Sequence, residues 1–319
     1  MSSGAVPALS VIICTRNRAE LLEECLASLA GEPLNDVRCE ILVVDNASQD
    51  DTARVVQRLS KETPQIRYLY EDRTGLSHAR NAGLQAARSE WVAYLDDDAT
   101  VRPGWLQRAR RTTAVGTYAL IGGVYLAWYR DGKRPWFRDA YASNAATCAE
   151  YGELPPTRYA AGCVLLARRA VLNLAGGFPT ELGMMGDALG YGEETRLQVE
   201  LRKLQYRLGF DPDLCISHYV PLQRQSVEWM LKAAYAAGCG SWQTFDIYPA
   251  FRPVLRQCWR LLVGPLGGLA REWLSRECPK RWQNWLIAAL QPSAIAAGAL
   301  VSAPSARRRH RVHPRRSQG

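Results

Sequence analysis

The first third of the chain alternates β-branched apolar runs with amphipathic stretches of helical spacing, and this alternation constrains the fold more than any other feature. Ala8-Leu9-Ser10-Val11-Ile12-Ile13-Cys14 reads as a buried strand that stops at Thr15-Arg16-Asn17-Arg18. Residues 19–30 then place Leu21, Leu22, Cys25, Leu26 and Leu29 on one helical face, closed by Gly31 with Pro33 beyond. A second cycle runs from Ile41-Leu42-Val43-Val44 through Asp45-Asn46-Ala47-Ser48 into a helix from about Asp51. A third runs from Ile66 to Tyr70 through Arg73-Thr74-Gly75-Leu76-Ser77 into a helix ending near Ala87. The fourth strand, Trp91-Val92-Ala93-Tyr94-Leu95, ends in Asp96-Asp97-Asp98.

Such a pattern implies right-handed βαβ crossovers and an α/β fold, a mostly parallel sheet with helices on both faces. All four strands deliver polar ends to one edge, which is where open α/β sheets bind ligands. Strand ends are commonly polar, so position alone does not make a site. The three adjacent aspartates say more, because neighbouring carboxylates repel and a cation would neutralise them. A solvated turn, or a cap for the helix entering at Pro103-Gly104-Trp105, accounts for them as well. No Gly-x-Gly-x-x-Gly follows the first strand and no Gly-x-x-x-x-Gly-Lys-Ser/Thr occurs anywhere. A nucleotide bound here would therefore be held by side chains and a metal, not by a glycine-rich phosphate loop.

Beyond the aspartates, Tyr118 to Leu126 reads as another strand. Residues 128–158 form a long loop rich in aromatics, among them Trp128, Tyr129, Trp136, Phe137, Tyr141 and Tyr151. Such rings can stack on a sugar or simply anchor their own loop. Ala160 to Arg169 is a strand running into a helix that ends at Gly176-Gly177-Phe178. A glycine-rich segment, 183–192, leads to Glu193-Glu194 in the first turn of the next helix, where the macrodipole also favours carboxylates. Tyr206 to Phe210 and Leu214 to Tyr219 read as two short strands, the second carrying His218 near its end.

Seven motifs in order resemble glycosyltransferase family 2, the inverting nucleotide-sugar transferases of GT-A fold: Ser10 to Asn17, Val43 to Ser48, Gly75 to Gly83, Tyr94 to Asp98, Gly176 to Phe178, Gly192 to Glu194, and His218. The resemblance covers about residues 8–220. It implies a Rossmann-like GT-A domain in which Thr15, Arg16, Asn17, Asp45 and Asn46 hold the nucleoside, with Gly75, Ser77, Arg80 and Asn81 packed beside it. It further implies that Asp96, Asp98 and His218 bind Mn²⁺ or Mg²⁺ against the donor diphosphate, and that Asp97 faces ribose or sugar hydroxyls. The base is implied to be the second acid of a Glu-Asp pair; here the pair is Glu193-Glu194, which makes Glu194 the candidate and leaves Glu193 as its rival. The donor is then a nucleoside-diphosphate sugar and the acceptor a glycan or lipid-linked hydroxyl, in bacterial surface or exopolysaccharide synthesis. Two other readings stand beside this one. Asp96-Asp97-Asp98-Ala99-Thr100 also fits the Asp-x-Asp-x-Thr of haloacid dehalogenase-type phosphatases, with Asp96 as nucleophile and Asp98 as general acid, although three βα units precede it. A catalytically inert, transferase-like scaffold is the third reading.

Nine cysteines are scattered without a Cys-x-x-Cys, several inside apolar runs, which suits reduced thiols and not a zinc site or disulfide framework. Met1 to Pro7 show neither a basic nor an apolar leader region, so a cytoplasmic location without a secretory signal is expected. Of the net charge of +9, six positive charges come from Arg307, Arg308, Arg309, Arg311, Arg315 and Arg316 in a tail without acids. The basicity is thus a tail property and predicts no nucleic-acid partner. The expected domains are a catalytic one over 1–222 (donor half about 8–127, acceptor half about 128–222), a C-terminal helical extension over 223–303, and a basic disordered tail over 304–319. In the extension, Leu255 to Leu274 mixes Trp and Leu with Arg256, Arg260 and Arg271, a pattern suited to peripheral contact with the anionic inner face of the plasma membrane. Trp282 to Ala303 is uncharged but carries Gln283, Asn284, Gln291 and Pro292, which makes it a poor spanning segment.

Overall fold

The computed structural model describes residues 6–275 and 281–312, with side chains as far as Arg309. Two compact units are present: Met1–Trp128 with Asp139–Asp187 and Glu193–Tyr219, and Tyr129–Arg138 with Ala188–Gly192 and Val220–Gly319.

The first unit is built on a sheet of strands β1 Leu9–Thr15, β2 Cys39–Asp45, β3 Ile66–Tyr70, β4 Trp91–Asp96, β5 Ala99–Val101, β6 Leu120–Trp128, β7 Gly152–Glu153, β8 Val164–Arg168 and β9 Leu208–Tyr219. Its helices are α1 Ala19–Ala30, α2 Leu34–Val37, α3 Thr52–Glu62, α4 Leu76–Ala86, α5 Trp105–Val115, α6 Arg169–Leu174 and α7 Glu193–Lys203. The strand order is β3-β2-β1-β4-β8-β6-β9-β5, with β7 paired to β9. From β3 to β4 the pairing is parallel, as the βαβ pattern requires. Strand β8 runs antiparallel to both β4 and β6, so the sheet is mixed.

Period-two alternation divides the strand side chains between two cores. Val11, Ile13, Ile41, Val43 and Leu95 meet Leu22, Leu26 and Leu29 of α1 on one face. On the other, Ile12, Leu42, Val44, Val92 and Tyr94 meet Ala79 and Leu84 of α4 and Leu197 and Leu201 of α7. Each such Leu or Ile fully removed from water contributes about 1.5–3 kcal/mol, which is why helices cover both faces.

The two short strands predicted over 206–219 are one strand, β9, whose pairing with β6 slips between Gly122 and Val124. The unpaired stretch of β9 contains Pro212, which has no N–H to give. The sequence punctuation marks a break in pairing, not in the strand.

The second unit contains α8 Val227–Thr244, α9 Phe251–Leu274 and α10 Trp282–Val312. Ser226 caps α8 by accepting from the Trp229 N–H. Helices α8 and α10 lie backbone against backbone: a Cβ on Gly238 would stand 2.1 Å from the Ile295 carbonyl oxygen, and one on Gly298 2.1 Å from that of Tyr235. The Trp242 indole donates to the Ala299 carbonyl at 2.6 Å. Residues 304–312, predicted to belong to a disordered tail, continue α10 to Val312; residues 313–319 lie outside the described residues.

Helix α9 is inside out. It buries Gln257 and Glu272 and exposes Trp259, Leu262, Leu266 and Trp273. Glu272 is forked by Arg138 at 2.7 and 2.8 Å. Beside Arg138 in the chain, Trp136 and Phe137 are buried with ring centroids 5.6 Å apart, so this part of the aromatic loop is anchored by its own rings. By length and composition alone, Trp282–Arg309 is apolar enough to cross a membrane, with a mean hydropathy of 1.7 over its best window.

Candidate active site

The aspartates at the end of β4 owe their position to a strand the sequence did not signal. After Asp98 the chain enters β5, which pairs antiparallel with β9 and sets Ala99 opposite His218. The Tyr219 N–H donates to the Asp98 carbonyl at 2.9 Å and fixes the turn. His218 Nε2 then lies 3.1 Å from Asp98 Oδ1 and 3.7 Å from Asp96 Oδ2. Burial works against a charged imidazole, but the Asp98 and Asp96 carboxylates outweigh it and hold His218 up to about 10. Asp96 is likewise driven upward by burial, and the His218 and Arg80 cations more than offset this to keep it below its ordinary value.

A third donor arrives from β8. The register pairs Leu95 with Val164, so one step further places Cys163 beside Asp96. One ligand atom each from Asp96, Cys163 and His218 lies within 4.8 Å of the others. Sequence reasoning missed Cys163, because a cysteine in an apolar run reads as core. Its thiol is buried and held well above 9.0 by that burial, with the nearby carboxylates adding to the effect. Asp98 meets His218 through Oδ1, while its Oδ2 takes Arg18 at 3.1 Å. Arg18 also reaches Asp97 Oδ1 at 2.9 Å. Asp97, expected to face sugar or ribose hydroxyls, is buried and pushed up to about 6 by that burial despite Arg18. Arg18 thus ties it into the turn; Thr15, at the end of β1, is buried, and its Oγ1 has no hydrogen-bond partner among the described residues.

The acid pair is connected to this cluster by one guanidinium. Arg80, on α4, gives Nη1 to Glu193 Oε1 at 2.7 Å and Nη2 to Asp96 Oδ1 at 3.5 Å, with its carbon 5.2 Å from the centroid of the Phe178 ring. Expected beside the nucleotide, it is 4% exposed and pairs with these acids. Glu193 is therefore neutralised, though its buried Oε2 has no hydrogen-bond partner among the described residues. Glu194 is half-buried, and no ion pair engages it among the described residues. Burial, with the Glu193 carboxylate adding and Arg80 opposing, raises it to about 8.

The remaining predicted residues form the rim at the ends of β1, β2 and β3, and much of their bonding is to one another. Asp45 accepts from the Ser48 N–H at 2.8 Å and from the Tyr68 hydroxyl at 2.7 Å. Asn46 donates to the carbonyls of Glu71 and Arg73 and accepts from the Gly75 N–H, tying β2 to the start of α4. Arg16 donates to the carbonyls of Asn46 and Ala47. Asn17 adopts a φ of 52° and accepts from the Gln49 N–H. Gly75, at φ 143°, approaches Met185 so closely that a Cβ would lie 2.9 Å from its sulfur. Ser77 donates to the Leu182 carbonyl, and Asn81 both donates to and accepts from the backbone of Phe178. Asn81 thus latches the Gly176-Gly177-Phe178 turn, a packing role that its motif does not announce.

A family model described as "Glycosyl transferase family 2" matches residues 10–173. Among curated proteins, the succinoglycan biosynthesis protein ExoM of Rhizobium meliloti is 27% identical over 305 residues, 95% of this chain and 87% of that protein. A GalNAc(5)-diNAcBac-PP-undecaprenol beta-1,3-glucosyltransferase of Campylobacter jejuni is 38% identical over 120 residues, 37% of this chain and 38% of its own length. Among solved structures, the mannosyltransferase PcManGT of Pyrobaculum calidifontis, in complex with GDP-Man and Mn²⁺, covers 97% of this chain and 76% of its own with a TM-score of 0.57 and 23% identity. S. aureus TarS 1-349 covers 97% of this chain and 92% of its own with a TM-score of 0.52 and 16% identity. The fold they share is the GT-A arrangement, followed here by the C-terminal helices.

Proposed function

This chain belongs to glycosyl transferase family 2, and on that footing we propose that it is an inverting, metal-dependent enzyme moving a sugar from a nucleoside-diphosphate sugar to a hydroxyl of a glycan or lipid-linked acceptor. Its membership sets aside the phosphatase and the inert-scaffold readings. Asp96, the nucleophile the phosphatase would need, is engaged by Arg80 and His218.

One observation carries the reading: Arg80 spans Glu193 and Asp96, joining the acid-bearing helix to the carboxylate cluster, and its pairing with Glu193 favours Glu194 as the base. Glu194 is left as the carboxylate able to accept the acceptor's hydroxyl proton during attack on the face opposite the leaving group. Its raised affinity for protons favours that task, since a base works best near the ambient pH. Asp96, Asp98 and His218 would hold a divalent cation, with Cys163 beside them, and their carboxylate-plus-imidazole chemistry suits Mn²⁺ or Mg²⁺. Such a cation supplies positive charge against the departing diphosphate. The rim from Thr15 to Asn17, Asp45 and Asn46 would shape the nucleoside side, held rigid by its internal hydrogen bonds. Relatives named for succinoglycan biosynthesis and for an undecaprenol-linked glucosyl transfer support a role in surface or exopolysaccharide synthesis. The exposed Trp259, Leu262 and Leu266 of α9 support a cytoplasmic enzyme resting on the inner face of the membrane.

Glu194→Gln tests the base. We expect kcat to fall by about 10²–10⁴ with donor affinity unchanged; near-normal turnover would remove Glu194 from the role.

A further inference from the structure

The helical unit contains a cavity of about 630 Å³, within the range of about 300–1,000 Å³ common for small-molecule sites. Trp242, Phe245, Ile247, Pro253 and Ile295 make its wall apolar. Along it stand Arg252, Arg256 and Arg260, spaced i, i+4, i+8 and so stacked on one side of α9. All three are exposed, none has an ion-pair partner among the described residues, and no acid lines the cavity. Like charges at this spacing repel and cost helix stability, which an anion on the stripe would reverse. Between them Gln257 is 8% exposed and its Oε1 has no hydrogen-bond partner, so a buried acceptor in the lining stands without a donor. From the cavity, Trp259, Leu262 and Leu266 continue along α9 as an exposed apolar row.

We propose that this cavity binds a single-chain lipid phosphate: the Arg252, Arg256 and Arg260 stripe holds the phosphate or diphosphate, Gln257 accepts a head-group hydroxyl, and the apolar wall and row take the chain. A free phosphate would leave the wall unused, and a neutral lipid would leave the guanidinium stripe uncompensated. The inference deepens the reading of a lipid-linked acceptor and rests on it for its place in catalysis, but the binding is measurable without any sugar nucleotide.

The test is equilibrium binding of farnesyl phosphate to the full-length protein, with farnesol, inorganic phosphate and phosphatidylglycerol vesicles as separate arms. Farnesyl phosphate should bind at least about tenfold more tightly than farnesol or inorganic phosphate, and Arg256→Gln or Arg260→Gln should each weaken it about tenfold while leaving farnesol unaffected. Both arginines are exposed, so folding is not at stake in either variant. Equal binding of farnesol and farnesyl phosphate, or indifference to both substitutions, overturns the proposal. Vesicle binding that falls in parallel with farnesyl phosphate binding in both variants overturns it in favour of a general anionic surface. Intact farnesyl phosphate binding without transfer to any lipid-linked acceptor counts against the acceptor reading alone.

Discussion

At the residue scale, the site depends on how few cations serve many carboxylates. Arg80 serves Glu193 and Asp96, Arg18 serves Asp97 and Asp98, and His218 serves Asp96 and Asp98. Arg80→Met leaves Glu193 buried without its counter-charge, and we expect a loss of about 3–5 kcal/mol in urea unfolding. Lysine is no substitute there, because two acids are met by two different nitrogens of one planar fork. As the proposed base, Glu194 would set the pH dependence. A base is active when deprotonated, and this carboxyl is raised to about 8, so kcat/KM should rise with pH, reach half its plateau near that value and level off about one unit above it. A bound cation would move the limb downward by favouring the ionised form. A profile that is flat from pH 5 to 9 would show that Glu194 does not carry the proton.

At the scale of elements, two junctions matter: β5 against β9, which brings the aspartates to His218, and α8 against α10, where Gly238 and Gly298 permit close approach. Gly238→Leu puts side-chain carbon where the Ile295 carbonyl now stands, and overpacking of this kind costs about 1–3 kcal/mol. A lower melting temperature and faster proteolytic cleavage of the C-terminal helices should follow. Strands β1 to β4 and the helices between them were legible because hydrophobic period and polar strand ends are local signals. The motif order likewise pointed to Asp96, Asp98, His218 and Glu194, whose places as ligands and base are proposed. The rest depended on pairings distant in sequence. Three residues, Ala99–Val101, are too short a strand to announce themselves. Arg18, just past β1, and Cys163, just before β8, reach the aspartates only through the folded sheet. Asp97 looked like its neighbours in sequence, yet the turn directs it to Arg18. The interval 211–213 separated two short strands in the sequence reading and proved to be a gap in pairing within one.

At the scale of the whole molecule, the chain joins a transferase sheet to a helical unit whose surface is unusually apolar. Trp259, Leu262, Leu266 and Trp273 are each more than 60% exposed, an arrangement that water disfavours and a lipid surface would relieve. Full-length protein should therefore sediment with phosphatidylglycerol vesicles, with added salt weakening but not abolishing the association, since burial of tryptophan and leucine is not screened. Recovery of all the protein in the supernatant at low salt would contradict the membrane reading. Central to the proposed function is a donor held through a cation by the β4 aspartates and His218. Its most direct test is calorimetric titration of the protein with a panel of nucleoside-diphosphate sugars, in Mn²⁺ and in EDTA. The prediction is saturable binding of at least one sugar nucleotide in Mn²⁺, lost in EDTA and in Asp96→Asn; binding of equal strength with and without the cation, or of none of the panel under either condition, would contradict it.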